Sequence, residues 1–463
     1  MMPARDSSPV LIAGAGPTGA LLAILLERRG LEVRLIEARG DPRTQADASG
    51  RSINLALADR GIEALKRAGV LAEIEPALIP MRGRFVHPLG GTAHLQPYGQ
   101  RPNEQIYSIS RRRLNATLLG VALRRPGIEV LFEQRLEDLD GVTSEAEVRD
   151  VGSGVTRRFP MSPLIAADGA GSIVRRRLAE RHLIEAQESD LEHGYKELSI
   201  PAGPHGEYRL EREALHIWPR GGYMLIALPN EDGSFTATLF LPMQGPSSFA
   251  SLTSAAAIHA FLSGAFPDVH TLMPHAVREF REHPTGFLGT VRAAPWHHGG
   301  STLLIGDAAH AIVPFHGQGM NCCFEDCIEL DACMAAGGGS PRVFDWKRIF
   351  EEFYARRKPN TDAIAAMALE NYLEMRERVV DPRFQLEQAL ALELERRFPE
   401  RFIPRYSMVM FHHEIPYRTA LERGQVQSQL LAELTQHAAR LGDIDFGRAE
   451  REIRARLPPL TSA

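Results

Sequence analysis

Residues 9–38 read PVLIAGAGPTGALLAILLERRGLEVRLIEA and leave the chain few choices. An apolar run ends at Gly14, a helical pattern opens after Gly16, and a second apolar run closes on Glu37. The spacing Gly14-x-Gly16-x-x-Gly19 predicts a tight turn at Gly14, close backbone approach to a pyrophosphate at Gly16, and helix–strand packing at Gly19. The helix N-terminus adds partial positive charge for an anion. Glu37 follows at the end of the second strand, where an acid can bond ribose hydroxyls. A glycine turn used only for packing would leave Glu37 without a purpose, so the expectation is a dinucleotide site.

Two later segments share this strand-end character. PLIAADGAGSIVRRRL ends a strand at Ala167 and puts Asp168-Gly169 before a helix; STLLIGDAAHAI ends one near Ile305 and puts Gly306-Asp307 in the same kind of place. Either aspartate alone is explained as a helix cap, but ligands of parallel sheets also bind at such strand ends. The pattern predicts one nucleotide-binding domain assembled from separated pieces, 1–79, 106–180 and 285–345. Between them, RGRFVHPLGGTAHLQPYG reads as a hairpin, and HIWPR, YMLIALPN and SFTATLFLPM read as further strands. An antiparallel sheet is therefore expected over 80–105 and 181–284, and a helical region over 346–463.

Composition bounds the rest. At 463 residues, with 44% hydrophobic and 24% charged residues, two or three globular domains are expected. A net charge of −5 gives no electrostatic reason for a nucleic-acid partner. No run of about 18 apolar residues predicts a membrane span, and MMPARDSSPV lacks a signal-like apolar region, so a cytoplasmic protein without a membrane anchor is expected. Only four of the 53 basic residues are lysine, a bias of GC-rich bacterial genomes. Cys322, Cys323, Cys327 and Cys333 share one helical stretch without paired C-x2-C spacing, so they read as small buried side chains and no metal is expected.

One GxGxxG with two strand-end Asp-Gly or Gly-Asp pairs resembles the single-component FAD-dependent aromatic hydroxylases related to 4-hydroxybenzoate hydroxylase. RSINLALADRGIEALKRAGV (51–70), IYSISRRRLNATLL (106–119), GDAAHAIVPFHGQGMNCCFEDC (306–327) and YSMVMFHHEIPY (406–417) are similar to its kynurenine 3-monooxygenase branch. The likeness runs through most of the chain. It departs at Cys322-Cys323, where many relatives carry small residues, and in lacking the C-terminal membrane tail of the mitochondrial enzymes. The resemblance implies an α/β fold: a discontinuous Rossmann-like FAD domain, an inserted antiparallel β-sheet substrate domain and a C-terminal helical region. It implies NADPH- and oxygen-dependent hydroxylation of L-kynurenine to 3-hydroxykynurenine through a flavin C4a-hydroperoxide, with no separate NADPH domain.

The resemblance also implies roles. Gly14, Gly16, Gly19 and Glu37 serve FAD, and Arg111 pairs with its pyrophosphate; from the residues alone, Arg111, Arg112 and Arg113 read equally as a basic helix start. Leu136 is either a backbone contact to adenine or ordinary core. Asp168 serves FAD in a region also tied to NADPH, and Gly306 and Asp307 serve the ribityl and pyrophosphate. Pro314, Gly317, Gln318, Gly319, Met320 and Asn321 lie along the flavin ring. For substrate, Arg84 clamps a carboxylate, although Arg82 fits that pattern as well, with Tyr98, Asn371 and Tyr406 as polar contacts. Met224, Ile226 and Leu228 alternate on one strand face and, with Leu215 and Phe240, supply apolar walls; Phe315 and His316 stand beside the flavin. No general base is assigned, because an aniline nitrogen already donates electrons to its ortho carbon. His316 either tunes a proton supply or fills space. A relative acting on another anthranilate-like or phenolic acid, and a flavin-binding redox sensor, are the alternatives.

Overall fold

The computed structural model describes residues 8–44, 54–140, 144–161, 163–336, 344–378 and 381–460. Arg51, Ser52 and Ile53, which open the 51–70 block, lie outside them.

Val10–Ala13 is buried along its whole length, as befits a strand covered on both faces. It pairs in parallel with Val33–Ile36 on one side and Leu164–Ala166 on the other. Ile128–Leu131 and Thr302–Leu304 extend this sheet in parallel, and His297–His298 closes its edge antiparallel. The six strands thus come from four separated parts of the chain. Helix Pro17–Arg28 begins with proline at its first position, where no amide hydrogen is needed, and packs its apolar side on this sheet.

A seven-stranded sheet runs Gly286–Ala294, Glu185–Ile200, Phe235–Pro242, Met224–Pro229, Leu215–Pro219, Gly83–Val86, His94–Pro97. Every junction is antiparallel except Leu215–Pro219 against Gly83–Val86, which is parallel and sets Leu215 opposite Arg84. The stretch 181–284 is sheet only as far as Pro242; helices Ala255–Ala265 and Ala276–Glu282 follow and cover one face. Their Ile258, Leu262 and Phe280 bury Trp218, Leu225, Ala227 and Leu239. That is why Leu225 and Ala227 are buried even though they alternate with Met224, Ile226 and Leu228.

Two small sheets complete the strands. One contains Asn54–Leu57, Ile106–Ser110 and Ile79–Met81, and the other Gln134–Asp140, Glu145–Asp150 and Thr156–Pro160. The C-terminal part is helical, with Trp346–Leu373, Pro382–Arg397, Arg405–Phe411, Tyr417–Thr435 and Phe446–Arg456. The first of these is 28 residues long and contains Pro359 without ending there. Among the described residues no helix is long and apolar enough to cross a membrane.

Candidate active site

A cleft of about 1240 Å³ opens at the C-terminal ends of the parallel strands, where ligands of such sheets bind. Gly14, Gly16, Glu37, Arg111, Leu136 and Asp168 all line it. Gly14 has φ +95°, and a Cβ there would come within 2.5 Å of the Ala167 carbonyl oxygen. Gly19 does not line the cleft; a Cβ on it would meet the Gly14 carbonyl oxygen at 2.0 Å, so it serves the close approach of helix and turn. Gly16 differs from both, since a Cβ there would meet no protein atom within 4 Å. Nothing inside the chain requires glycine at Gly16, which stands at the N-cap of Pro17–Arg28 with the first helical amides facing the cleft.

Glu37 accepts from the Ala15 amide at 3.0 Å and the Arg39 amide at 2.9 Å, which fixes its carboxylate on the cleft wall. Asp168 accepts from the Ile173 amide at 2.9 Å, while its other oxygen is buried and has no partner among the described residues. Burial raises the Asp168 carboxyl above its ordinary range, an arrangement that favours a bound hydroxyl partner. Arg111 and Arg112 line the cleft and Arg113 does not. Leu136 is 7% exposed in the core and also lines the cleft. An open glycine cradle, a helix N-terminus, an arginine and an orphan carboxylate oxygen together fit a dinucleotide such as FAD.

Gly306, Asp307 and the segment from Pro314 to Asn321 lie outside this lining and form a clamped loop. Asp326, on helix Gly319–Ala336, accepts from the Gly306 amide at 3.1 Å, His310 Nε2 at 2.6 Å and Arg357 Nε at 2.7 Å. Its carboxyl is held below the usual range, because His310 and Arg357 outweigh the effect of burial. His310 is thereby a structural hydrogen-bonder. Asp307 is partly exposed and takes a 3.5 Å contact from the Cys323 thiol. At the other end of the loop, Asn321 Oδ1 accepts from the Ala58 amide, and Nδ2 donates to the Ala56 and Gly317 carbonyls. Gln318 accepts from the Tyr417 hydroxyl at 2.7 Å and donates to Met410 Sδ. The side chains of Gln318 and Asn321 are therefore engaged inside the protein, and only backbone there can reach a cofactor. Met320 packs on the main core; Gly317 and Gly319 are partly exposed and Pro314 is exposed.

A second cluster gathers around Tyr406. The Arg84 guanidinium lies 4.8 Å from its ring centroid, and the rings of Tyr98 and His316 stack on it, each at 5.5 Å. Arg84 Nε, the Tyr98 hydroxyl and His316 Nδ1 are buried without partners among the described residues. Unpaired buried polar atoms are costly, at about 1–3 kcal/mol each, so three in one place mark a site for a polar guest. Arg84 keeps its charge: burial opposes it, but Tyr406, Tyr98 and Glu374 outweigh burial and raise its pKa. Burial pushes Tyr98 and Tyr406 up, so both phenols stay protonated. Burial, with the charges of Arg405 and Arg84, lowers His316 to about 3, which makes it a neutral imidazole near pH 7. Arg82 pairs with Glu213 at 3.0 Å with its side chain 65% exposed, whereas the Arg84 side chain is 11% exposed.

The apolar walls divide into two adjoining groups. Leu215, Ile226 and Leu228 pack with Tyr98 and Tyr406; Met224 and Phe240 pack with Phe315, and Ile226 touches both groups. Phe315 stacks on Tyr372 at 3.9 Å and meets Phe240 at 5.0 Å. Asn371 Nδ2 donates to the Phe315 carbonyl at 2.7 Å, so that amide hydrogen holds the loop and is not free for a ligand. Glu374, 3.8 Å from Arg84 Nη1, belongs to the cluster and carries no motif in the sequence. It sits in the π-helical turn Glu374–Arg378 that ends the long helix, and no periodicity predicts that turn.

Comparison with known proteins places this architecture. A family model described as an FAD binding domain matches residues 7–338. The fold is shared with 2-methyl-3-hydroxypyridine-5-carboxylic acid oxygenase in its tetrameric form, at TM-score 0.64 and 18% identity over 84% of this chain and 98% of that one. It is shared too with P. aeruginosa PqsL in complex with 2-aminobenzoylacetate, at 0.63 and 20% over 80% and 97%. The chain belongs to the FAD-dependent aromatic hydroxylase family and is an FAD-dependent monooxygenase. Full-length relatives there include kynurenine 3-monooxygenases. That of Myxococcus xanthus (strain DK1622) is 47% identical over 97% of this chain and 96% of its own. That of Stenotrophomonas maltophilia (strain K279a) is 47% identical over 100% of both.

Proposed function

We propose that the protein hydroxylates L-kynurenine to 3-hydroxykynurenine, consuming one NADPH, one proton and one O2 and releasing NADP+ and water. The observation that carries this reading is the trio of unpaired buried polar atoms around a retained cation. A kynurenine carboxylate on Arg84, with the Tyr98 hydroxyl donating to it, would satisfy two of them in a two-pronged bond. The apolar walls of Ile226, Leu228 and Phe315 suit the flat ring, and Glu374 is placed to receive the α-ammonium. His316, neutral and stacked, orients neighbours and carries no proton into the reaction near pH 7.

In this reading Gly14, Gly16 and Arg111 face the FAD pyrophosphate, Glu37 the ribose and the Leu136 backbone the adenine. Gly306, Asp307 and the backbone from Pro314 to Asn321 lead toward the flavin ring. Bound FAD supplies the reduction and oxygen-activating chemistry. The chain's own residues bind the acid, hold the ring and exclude water. No side chain acts as general base, since the aniline nitrogen already enriches the carbon ortho to it.

The test is product analysis. The purified yellow protein with NADPH, 18O2 and kynurenine is expected to give 3-hydroxykynurenine carrying one 18O. NADPH oxidation that returns unaltered kynurenine, with hydroxylation of a phenolic acid instead, would overturn the substrate assignment.

A further inference from the structure

Arg60 is among the largest fully buried side chains, 1% exposed, yet it lines neither the cleft nor the cluster around Tyr406. It stands in the first turn of helix Asp59–Ala68. Its Nη1 pairs with Glu325 at 2.5 Å, on the helix that clamps the flavin-side loop. Its guanidinium lies 3.9 Å from the ring centroid of Tyr417, whose hydroxyl holds Gln318 at 2.7 Å. The remaining hydrogen bonds go to carbonyls: Nε donates to Val409 at 3.3 Å, Nη1 to His413 at 3.2 Å, and Nη2 to His412 at 3.3 Å and to Ile415. Val409 is in the last turn of Arg405–Phe411, and the other three carbonyls belong to the turn that follows.

That helix has 7 residues. Isolated helices shorter than about 12–15 residues do not hold themselves in water, and the last carbonyls of any helix need partners. A cation at the C-terminus also interacts favourably with the helix dipole. Tyr406, the centre of the substrate cluster, is the second residue of this helix.

We propose that Arg60 is a positioning residue for the reaction: it holds Tyr406 in the substrate cluster and, through Tyr417 and Gln318, the flavin-side loop. One guanidinium thereby sets substrate and cofactor elements against each other. Lysine cannot replace it, because an ammonium keeps the charge toward Glu325 but cannot fan donors across four carbonyls and lie flat on a ring. The proposal rests on the function proposed above only in using kynurenine as the probe.

In Arg60→Lys holoprotein, amides of 405–415 are expected to exchange hydrogen roughly tenfold faster, while those of Val10–Ala13 keep their protection. KM for kynurenine is expected to rise about tenfold, with kcat changing less. In a Tyr406→Ala background the same substitution is expected to move KM less than about twofold, because the side chain through which Arg60 reaches the substrate is gone. Unchanged exchange at 405–415, or the full tenfold loss in the Tyr406→Ala background, would overturn the proposal. Should Arg60→Lys fail to fold, Arg60→Gln alone, which leaves Glu325 paired with Arg357 at 2.7 Å, is read in the same way. Should kynurenine not be the substrate, the unaltered enzyme fails the kinetic arm too, and the exchange measurement alone decides on Arg60.

Discussion

The cleft and the cluster around Tyr406 are built by opposite means. The cleft is largely backbone: a glycine turn, a helix N-terminus and strand ends, with Glu37 and Asp168 fixed by main-chain amides. The cluster is almost wholly side chain, from a hairpin, a loop and two helices, and it leaves polar atoms unpaired. A site of backbone tolerates few changes of shape. A site of side chains can be rebuilt one residue at a time.

That contrast breaks most sharply at the glycines. Gly14→Ala would combine positive φ with a Cβ 2.5 Å from the Ala167 oxygen. A loss of about 3 kcal/mol is expected, roughly 100-fold in FAD retention, with lower stability of the apoprotein. Gly16→Ala meets no protein atom within 4 Å, so the apoprotein should keep its stability while FAD affinity falls about tenfold. Flavin titration beside thermal unfolding separates the two. Equal destabilisation by both would remove the distinction between a packing glycine and a ligand glycine.

The side-chain site carries a smaller, proton-dependent liability. Burial lowers His316 to about 3, and burial lowers His216, on strand Leu215–Pro219, to about 4, from 6.5. Both stay neutral in the folded protein while the unfolded chain binds protons below pH 6.5. Their contribution is therefore complete above that pH and is lost as pH falls toward the folded values. Each histidine accounts for about 1.4 kcal/mol per pH unit inside its window. Urea unfolding at pH 7 and pH 5 should show the loss, and His316→Phe should flatten it by one histidine's share; an unchanged slope would contradict the burial of His316.

The same division explains what the sequence made legible. Gly14, Gly16, Gly19 and Glu37 fall within one short stretch, and Gly14 and Gly19 each have a backbone reason to be glycine. Arg84, Tyr98, His316 and Tyr406 are scattered, and only resemblance joins them. Arg82 and Arg84 lie two residues apart in the sequence, and what separates them is burial, with the Arg82 side chain 65% exposed and that of Arg84 11%. Helices 255–265 and 276–282 were hidden because their small and charged residues carry no strong stripe, although they bury the second face of the sheet. Glu374 lies in a π turn, and Arg60 inside a block recognisable only as a family signature.

Ligand discrimination tests the side-chain site most directly. Holoprotein and its Arg84→Ala variant, both with FAD bound, are titrated with kynurenine and with kynuramine, which lacks the carboxylate. The unaltered protein is expected to prefer kynurenine by roughly 100-fold, as a buried charge-assisted pair implies. Arg84→Ala should abolish that preference and leave kynuramine binding within about threefold. A variant that still prefers kynurenine by the full margin would contradict the assignment of Arg84 as the carboxylate clamp.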